Sequence, residues 1–487
     1  MNELIALILY LAEHIPGGRL PILLPLEELR ELVRAEAVER YEEGFDVDIP
    51  SITLEIERAA SQAELIDIYR ELSQAPLRAD YPYYEPSGLE GILRERPGGF
   101  RELETPKNLK DKVMGGWLGR VCGCMLGKPV EGWTRDKIRE RLMKAEEYPP
   151  GKPYFPAEAF TEEELTCVSR LVRGRITRAE RDDDLDYTVL NLLLYEEKGD
   201  GFTALDVGEK WLTLLPYKLT YTAERVAYRN LVLGLKPPET ATWLNPYREW
   251  IGAQIRADLW GYVSPGNPEK ASLLAYRDAS LSHAKNGIYG EMFFAAAVSA
   301  AYSLVDPLEV VEEALKAIPR RSRLYEAVKR VVSLYKSGVE WEEAVTKILE
   351  EYPYHPVHTI NNAALVVAAL LWGEKDYAKT ITYAVLAGLD TDCNGATAGS
   401  VVGVMVGASG IPKEWWEPLN DTLHTALSEV GVVRISEIAL RTFRLAAQNA
   451  HNLWDSLRER GKRLKADLEE AEEELDEAEE EWLKRLE

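Results

Sequence analysis

Two short acidic runs carry the clearest chemical signal in the sequence. Residues 182–186 read Asp-Asp-Asp-Leu-Asp, and residues 390–394 read Asp-Thr-Asp-Cys-Asn. Each run lies directly before an apolar segment of helical character, where one Asp would cap the free N–H groups of a helix. A helix start needs one cap, whereas adjacent carboxylates repel each other unless a cation compensates them. The surplus therefore predicts an oxygen-ligand site for a hard divalent ion such as Mg²⁺, Mn²⁺ or Ca²⁺.

Other metal and catalytic templates do not fit these residues. If Asp182 began an EF-hand loop, the required Gly and Glu would fall on Tyr187 and Leu193. The sequence also contains no Gly-x-Ser-x-Gly elbow, no Walker A loop and no His-Glu-x-x-His motif. For His355 and His358, which flank a Pro-Val pair, hydrogen bonding within a loop is a better interpretation than metal binding.

The sequence around the two acidic runs predicts a mainly α-helical protein, so helices must position the acidic side chains. Apolar residues recur with helical spacing between short loops, and alternating strand patterns are nearly absent. We expect helices over residues 25–37, 187–197, 271–283, 290–305, 307–318, 323–337, 341–350, 360–372, 377–387, 396–406, 420–430 and 435–454.

Three glycines give the helix after the second acidic run a smooth face. Gly399, Gly403 and Gly407 recur at four-residue spacing. Such a row allows close approach of another helix, so we interpret it as packing and not as catalysis.

Composition limits the class of protein and of partner. The chain has 487 residues, of which 46% are hydrophobic and 29% charged, as is typical of a globular protein. Its net charge of −24 argues against nucleic acids and anionic membranes as partners. Four cysteines at this length predict reduced thiols and no disulfide framework. With neither a signal peptide nor a membrane-length apolar run, we expect a cytoplasmic protein.

Amino-acid composition and hydrophobic pattern divide the chain into three parts. Residues 1–108 are mixed and predict a partly helical N-terminal extension, whereas residues 109–452 combine small residues with long helical patterns and predict one large helical domain that contains both acidic runs. Residues 453–487 predict an acidic amphipathic helix with a heptad seam, and eleven acidic residues lie between positions 466 and 481. This helix either docks on its own domain or forms a coiled-coil arm of a homodimer.

Four motifs then give the chain a resemblance to a known family. Residues 116–131 read Gly-Trp-Leu-Gly-Arg-Val-Cys-Gly-Cys-Met-Leu-Gly-Lys-Pro-Val-Glu, which resembles the opening motif of ADP-ribosylglycohydrolases of the dinitrogenase-reductase-activating type. Asp-Asp-Asp at 182–184 stands where that family has Thr-Asp-Asp, and residues 282–287 stand at its mid-chain His motif. Residues 388–399 resemble its Gly-x-Asp-x-Asp-Thr motif and small-residue helix. The motifs occur in the family's order over about residues 110–450.

The resemblance implies a fold, a metal centre and a set of site residues. The fold would be an all-α orthogonal helical bundle, preceded by the N-terminal extension and followed by the charged C-terminal helix. The centre would hold Mg²⁺ or Mn²⁺, two ions in the family's pattern. The implied metal ligands are Asp182, Asp183, Asp184, Asp390 and Asp392; the implied catalytic carboxylates are Glu131 and Asp183; and the implied substrate-binding residues are His283, Asn286, Gly287 and Asn394.

The chain departs from the family motifs at two of these positions. Asp182 replaces a hydroxyl ligand by a carboxylate, and Cys393 replaces the Thr that follows the second acidic pair. A thiol prefers softer ions than Mg²⁺, so either Cys393 points away or the second ion is bound more weakly. The departures indicate a variant subfamily.

Three functions are consistent with these residues. The resemblance favours a metal-dependent hydrolase that cleaves the ribosyl glycosidic bond of a small or protein-linked ADP-ribosyl or related compound. The departures leave open a hydrolase of the same fold that acts on a different small glycoside. The third is a metal- or nucleotide-binding or crystallin-like protein without activity, against which the retained Asp-x-Asp pair and Glu131 argue.

Overall fold

A computed structural model describes residues 24–450, and this part of the chain is mainly α-helical. The fold class predicted from the sequence is confirmed. No helix in this range is both long and apolar enough to cross a membrane. The helices are α1 (Leu26–Glu42), α2 (Ile49–Arg58), α3 (Gln62–Gln74), α4 (Leu89–Glu95), α5 (Leu109–Gly127), α6 (Arg135–Lys144), α7 (Glu162–Val168), α8 (Asp183–Lys198), α9 (Ala204–Leu214), α10 (Thr222–Val232), α11 (Glu239–Thr242), α12 (Asp258–Tyr262), α13 (Pro268–Ala279), α14 (Lys285–Ala300), α15 (Pro307–Ala314), α16 (Arg323–Lys336), α17 (Trp341–Glu351), α18 (Thr359–Gly373), α19 (Tyr377–Leu386), α20 (Thr391–Val406), α21 (Lys413–Trp416) and α22 (435–450).

Helices α5 and α20 run antiparallel at backbone contact. A Cβ built on Gly119 would lie 2.1 Å from the carbonyl oxygen of Gly399, and one on Gly123 would lie 2.0 Å from that of Gly395. Only glycine permits so close an approach, because any side chain would overlap the facing backbone. The close packing predicted from the glycine row is thus confirmed, and its partner is a matching row on α5.

The same antiparallel contact brings the end of α5 to the beginning of α20. A Cβ on Gly127, the last residue of α5, would lie 2.0 Å from the carbonyl oxygen of Thr391, the first residue of α20. A short 3₁₀ helix, Lys128–Val130, continues directly from α5. Residues that follow α5 therefore lie beside the second acidic run.

Two helices of the core are buried around nearly their whole circumference. In α14 every residue from Asn286 to Ala300 is buried, and in α18 almost every residue is. A helix without a polar face needs packing partners on all sides, and both sequences are accordingly rich in Ala and larger apolar residues. Helix α18 begins beside the second acidic run, which makes its first turns relevant to the site.

The N-terminal helices form a second, smaller hydrophobic cluster from α1 to α3, completed by Leu235 and Leu244. Buried ion pairs join this part to the main bundle. Arg248 pairs with Glu36 at 2.8 Å and with Glu43 at 2.9 Å, and all three side chains are buried. Arg40 and Lys285 add positive charge beside the two glutamates, so Arg248 is not their only counter-ion.

One predicted helix is wrong. Residues 420–430 contain β1 (Thr422–His424), which pairs antiparallel with β2 (Val432–Arg434). Asn420 and Asp421 have positive φ angles of 48° and 52°, which a right-handed helix cannot contain. The other predicted helices are confirmed within the described residues, although the last lies only partly inside this range. The predicted acidic helix over 453–487 lies outside it.

The glycine contact gives a direct prediction for stability. Gly119→Ala should lower the free energy of unfolding by about 2–3 kcal/mol, because the added methyl group forces α5 away from α20. The measurement is a urea or thermal unfolding curve. Gly98→Ala is the control, since no described atom lies within 4 Å of a Cβ at that exposed position. Equal stability of the two variants would contradict a packing role for the glycine row.

Candidate metal centre

The first acidic run forms the beginning of α8. Asp182 is the N-cap residue, and its Oδ1 accepts a hydrogen bond of 3.0 Å from the backbone N–H of Asp184. Its Oδ2 accepts from the ammonium group of Lys128. Burial alone would raise the pKa of Asp182, but Lys128 holds that pKa below its usual range. One Asp of this run is thus a cap, as expected, and the others are surplus to capping.

The second acidic run forms the beginning of α20, where Asp390 is the N-cap residue without a side-chain capping bond. Together with Cys124 near the end of α5, the described acidic and thiol groups at these two helix starts form two triads in which the possible ligand atoms lie within 4.8 Å of one another. The first triad consists of Cys124, Asp182 and Asp184, and the second triad consists of Asp390, Asp392 and Cys393; all six residues are buried.

The two triads are close enough to affect each other's protonation. Burial raises the pKa of Asp392 well above its usual range, and the negative charges of Asp390, Asp182 and Glu131 raise it further. Such carboxylates are disfavoured as free anions and call for a cation. The structure thus brings together the acidic runs that lie about 200 residues apart in the sequence.

Several oxygens at this place have no hydrogen-bond partner among the described residues. They are Oδ2 of Asp184 and Oδ1 of Asp390, Asp392 and Asn394, all on buried side chains. A buried acceptor left without a partner is costly, and a bound divalent ion would satisfy it. The donor set, mostly carboxylate oxygens, fits a divalent metal.

Glu131 and Asp183 lie at the edge of this group. Glu131 is exposed to solvent, yet partial burial and the charges of Asp390 and Asp182 raise the pKa of its carboxyl group to about 7. Asp183 is half-buried, and burial together with Asp182 raises its pKa well above the usual range. Both predicted catalytic carboxylates are therefore adjacent to the triads.

An amide of α18, which the sequence analysis missed, holds the second run in place. Oδ1 of Asn362 accepts from the backbone N–H of Asp390 at 3.3 Å and from Nδ2 of Asn394 at 2.8 Å. Nδ2 of Asn362 donates in turn to the carbonyl oxygens of Pro356 and His358 at 2.8 Å. No local sequence signal marks Asn362, because its partners lie nearly 30 residues further along the chain.

Arg120 and Cys124 of α5 were also missed. The guanidinium of Arg120 is fully buried and pairs with Asp184 at 3.2 Å and with Asp258 at 2.6 Å. Cys124 brings its sulfur into the first triad. The four-residue spacing of the two places them on one face of α5.

The sulfur of Cys393 lies within the second triad, so it does not point away from the carboxylates. Burial raises the pKa of the Cys393 thiol well above its usual range, and the nearby Asp184 and Asp390 raise it further. Of the two alternatives for this departure, the geometry therefore excludes the one in which Cys393 points away, and weaker binding of the second ion stays a prediction.

Three of the predicted substrate-binding residues lie in other polar networks. Nδ1 of His283 is 2.8 Å from the hydroxyl of Ser282, and burial lowers the pKa of the ring well below its usual range. Asn286 donates at 2.8 Å to both Glu85 and Glu249, and a Cβ on Gly287 would meet the carbonyl oxygen of Arg248 at 2.3 Å. Of the four, the structure brings only Asn394 to the triads, and substrate contact stays a prediction for all of them.

A further group of potential ligands, Glu39, Glu42 and His358, also comes within 4.8 Å. Nδ1 of His358 accepts a hydrogen bond of 3.1 Å from the backbone N–H of Ile360, and burial keeps the ring neutral by lowering its pKa. The neutral ring then carries its proton on Nε2, so neither nitrogen offers a lone pair to an ion. The loop role predicted for His358 agrees with this bond.

Comparison with known proteins adds one finding about family. A family model described as ADP-ribosylglycohydrolase matches residues 105–452. No curated protein sequence matches the chain. Among solved structures, a chain titled "ADP-ribosylglycohydrolase-related protein complex" shares 19% sequence identity; the match covers 70% of this chain and 100% of that chain, with a TM-score of 0.44.

The role of Asn362 can be tested by its effect on metal binding. Asn362→Ala should weaken binding of Mn²⁺ by roughly 10–100-fold, because the loop that carries Asp390 loses its anchor. Isothermal titration with Mn²⁺ measures the change. Asn230→Ala is the control, an equally buried amide that bonds the carbonyl oxygens of Thr240 and Trp243 away from the triads. Equal affinities in the two variants would show that Asn362 does not position the ligands.

Proposed function

Because the chain belongs to the ADP-ribosylglycohydrolase family, we propose that it is a metal-dependent hydrolase that cleaves a ribosyl glycosidic bond. Family membership indicates a glycohydrolase that acts on ribosyl bonds. The substrate we propose is an ADP-ribosyl or related ribosyl compound, small or protein-linked. One observation carries the proposal. The two triads lie close together where α8 and α20 begin, and both contain buried oxygens without a hydrogen-bond partner.

Within this proposal the residues that hold divalent metal are the carboxylates of the two triads, with Asp183 beside them. The resemblance implies a centre of two ions, Mg²⁺ or Mn²⁺. When bound, a divalent ion polarises and orients a water molecule and the ribose hydroxyls next to the scissile bond. Asp390 and Asp392 are the clearest ligands, because each keeps an unpartnered oxygen and neither has a lysine or arginine as an ion-pair partner among the described residues.

Glu131 is the proposed general base. A carboxylate whose pKa lies near 7 accepts a proton more readily at neutral pH than one with an ordinary pKa. Its exposed position allows contact with a water molecule at the rim of the site. Hydrolysis at the ribose C1 atom passes through an oxocarbenium-like state, which nearby carboxylates stabilise. Asp183 lies next to Asp182 and would add negative charge on the same side of the sugar.

The sulfur atoms of Cys124 and Cys393 favour one alternative substrate class. Their presence in both triads makes the site differ from an all-oxygen centre, which is consistent with a hydrolase of the same fold acting on a different small glycoside. Other expectations from the sequence stay proposals: a cytoplasmic location, the domain limits at about 108 and 452, no nucleic-acid partner, and a homodimer through residues 453–487.

The metal role of the second triad leads to a prediction for activity. Asp390→Asn should remove bound metal and lower the rate of hydrolysis of ADP-ribosylated substrates by at least about 100-fold, because the substitution removes a charged ligand. Metal content measured by mass spectrometry and product release by chromatography report the two effects. Asp376→Asn is the matched control, since this exposed residue only caps α19 through Lys379 and Asn also caps helices. Unchanged metal content and activity in Asp390→Asn would refute the proposed function.

Ligand-induced stabilisation distinguishes the two substrate classes. ADP-ribose with Mn²⁺ should raise the melting temperature, since a ligand at 100 times its Kd adds about 2.7 kcal/mol to the free energy of unfolding. Thermal-shift scans with ADP-ribose and with other ribosides, each with and without Mn²⁺, make the comparison. Stabilisation by other ribosides alone would favour the alternative glycoside, and no response to any of them would argue for a protein without this activity.

A further inference from the structure

The two triads differ in the cations that already lie beside them. In the first triad, Asp182 pairs with Lys128 and Asp184 pairs with Arg120. In the second triad, no lysine or arginine among residues 24–450 lies within 4.0 Å of Asp390 or Asp392 as an ion-pair partner. One triad is thus supplied with positive charge by the protein itself, and the other is not.

The partners of the first triad are fixed by the fold. Arg120 is fully buried in α5 and also donates at 2.5 Å to the carbonyl oxygen of Ile255, so it cannot turn away without leaving buried acceptors unpaired. Asp182 is held by its bond to the N–H of Asp184, which leaves Oδ2 for Lys128. Both oxygens of Asp182 are therefore bonded, and Asp184, although its Oδ2 is unpartnered, already has Arg120 as an ion-pair partner.

The backbone of Lys128 is anchored where its side chain meets Asp182. Gly127 packs against the carbonyl oxygen of Thr391, and the N–H of Lys128 donates to the carbonyl oxygen of Cys124. The side chain is only one quarter exposed, with Asp182 beneath it. A divalent ion at the first triad would have to displace this ammonium group from Asp182 and leave it without its buried partner.

The second triad has unpartnered oxygens but, among the described residues, no lysine or arginine as an ion-pair partner. Asp390 and Asp392 each keep an unpartnered Oδ1, and Asn394 on the same turn keeps another. These side chains are at most 5% exposed, so the oxygens gain little from solvent. A bound divalent cation at this triad would satisfy them together.

We propose that the chain binds one divalent ion at the second triad, and that the ammonium group of Lys128 takes the place of a second ion at the first triad. This inference rests on the proposed function, and it replaces the two-ion centre that the family resemblance implies. Lys128 acts here as a positioning residue, since it orients Asp182 and compensates its charge. Removal of that charge should open the first triad to a second ion.

The test is the number of ions bound per chain. Full-length protein stripped of metal is dialysed against Mn²⁺, and bound Mn²⁺ is measured by mass spectrometry against protein concentration. We expect the unchanged protein to bind one ion. Lys128→Met, which keeps most of the aliphatic stem without the charge, should bind two. Lys128→Arg, which restores a cation, should bind one. Lys137→Met is the control, since the ammonium group of Lys137, a residue of α6, lies over the ring of Trp133 and pairs with neither triad. The Lys137→Met protein should bind one ion.

A second set of variants keeps the test decisive if Lys128→Met does not fold, as judged by circular dichroism. Asp182→Asn should still bind one ion, whereas Asp392→Asn should bind none. Two ions in the unchanged protein, or loss of the only ion in Asp182→Asn, would overturn this inference and leave the proposed hydrolase intact. One ion in a folded Lys128→Met would also overturn it. No bound ion in the unchanged protein would instead contradict the metal dependence in the proposed function.

Discussion

The backbone contact between α5 and α20 is the constraint on which the site depends. Glycines face the opposite backbone along both helices, as at Gly119 and Gly399, so the helix axes approach more closely than side chains would permit. Because the helices are antiparallel, the end of α5 and the beginning of α20 meet. Glu131 thereby comes to lie near Asp390, and Lys128 meets Asp182. The charged groups need no long loops to reach each other, since the packing of two helices sets their separation.

This packing buries many acidic side chains, which fall into two classes: those with an arginine partner and those without one. Some carboxylates of the core have fixed arginine partners: Arg256, for example, pairs with Glu224 at 2.6 Å and with Asp278 at 3.1 Å. Such groups serve the structure, because the buried guanidinium and its carboxylate partners stabilise one another. Asp390 and Asp392 are equally buried but lack such a partner among the described residues. The net charge of −24 therefore includes structural carboxylates as well as the few that are suited to chemistry.

Features with a local pattern could be predicted from the sequence. The α-class, the close packing of the Gly399 row and the surplus of acidic residues at two helix starts all follow from spacing within a few residues. Asn362 and the ion pair of Lys128 could not be found in this way, because their partners lie 28 and 54 residues away along the chain. Asn286 shows the reverse problem, since a motif match does not reveal that its amide bonds Glu85 and Glu249. Residues 420–430 mislead because turn residues with positive φ interrupt an apparently helical pattern.

The central claim is that the second triad holds a catalytic divalent ion. An anomalous-difference map from crystals soaked in Mn²⁺ tests it most directly, because it locates the ion without reference to activity. We expect a peak among the carboxylates of Asp390 and Asp392 and no peak between Asp182 and Asp184. The absence of a peak at the second triad, or a peak at Glu39, Glu42 and His358 instead, would contradict it.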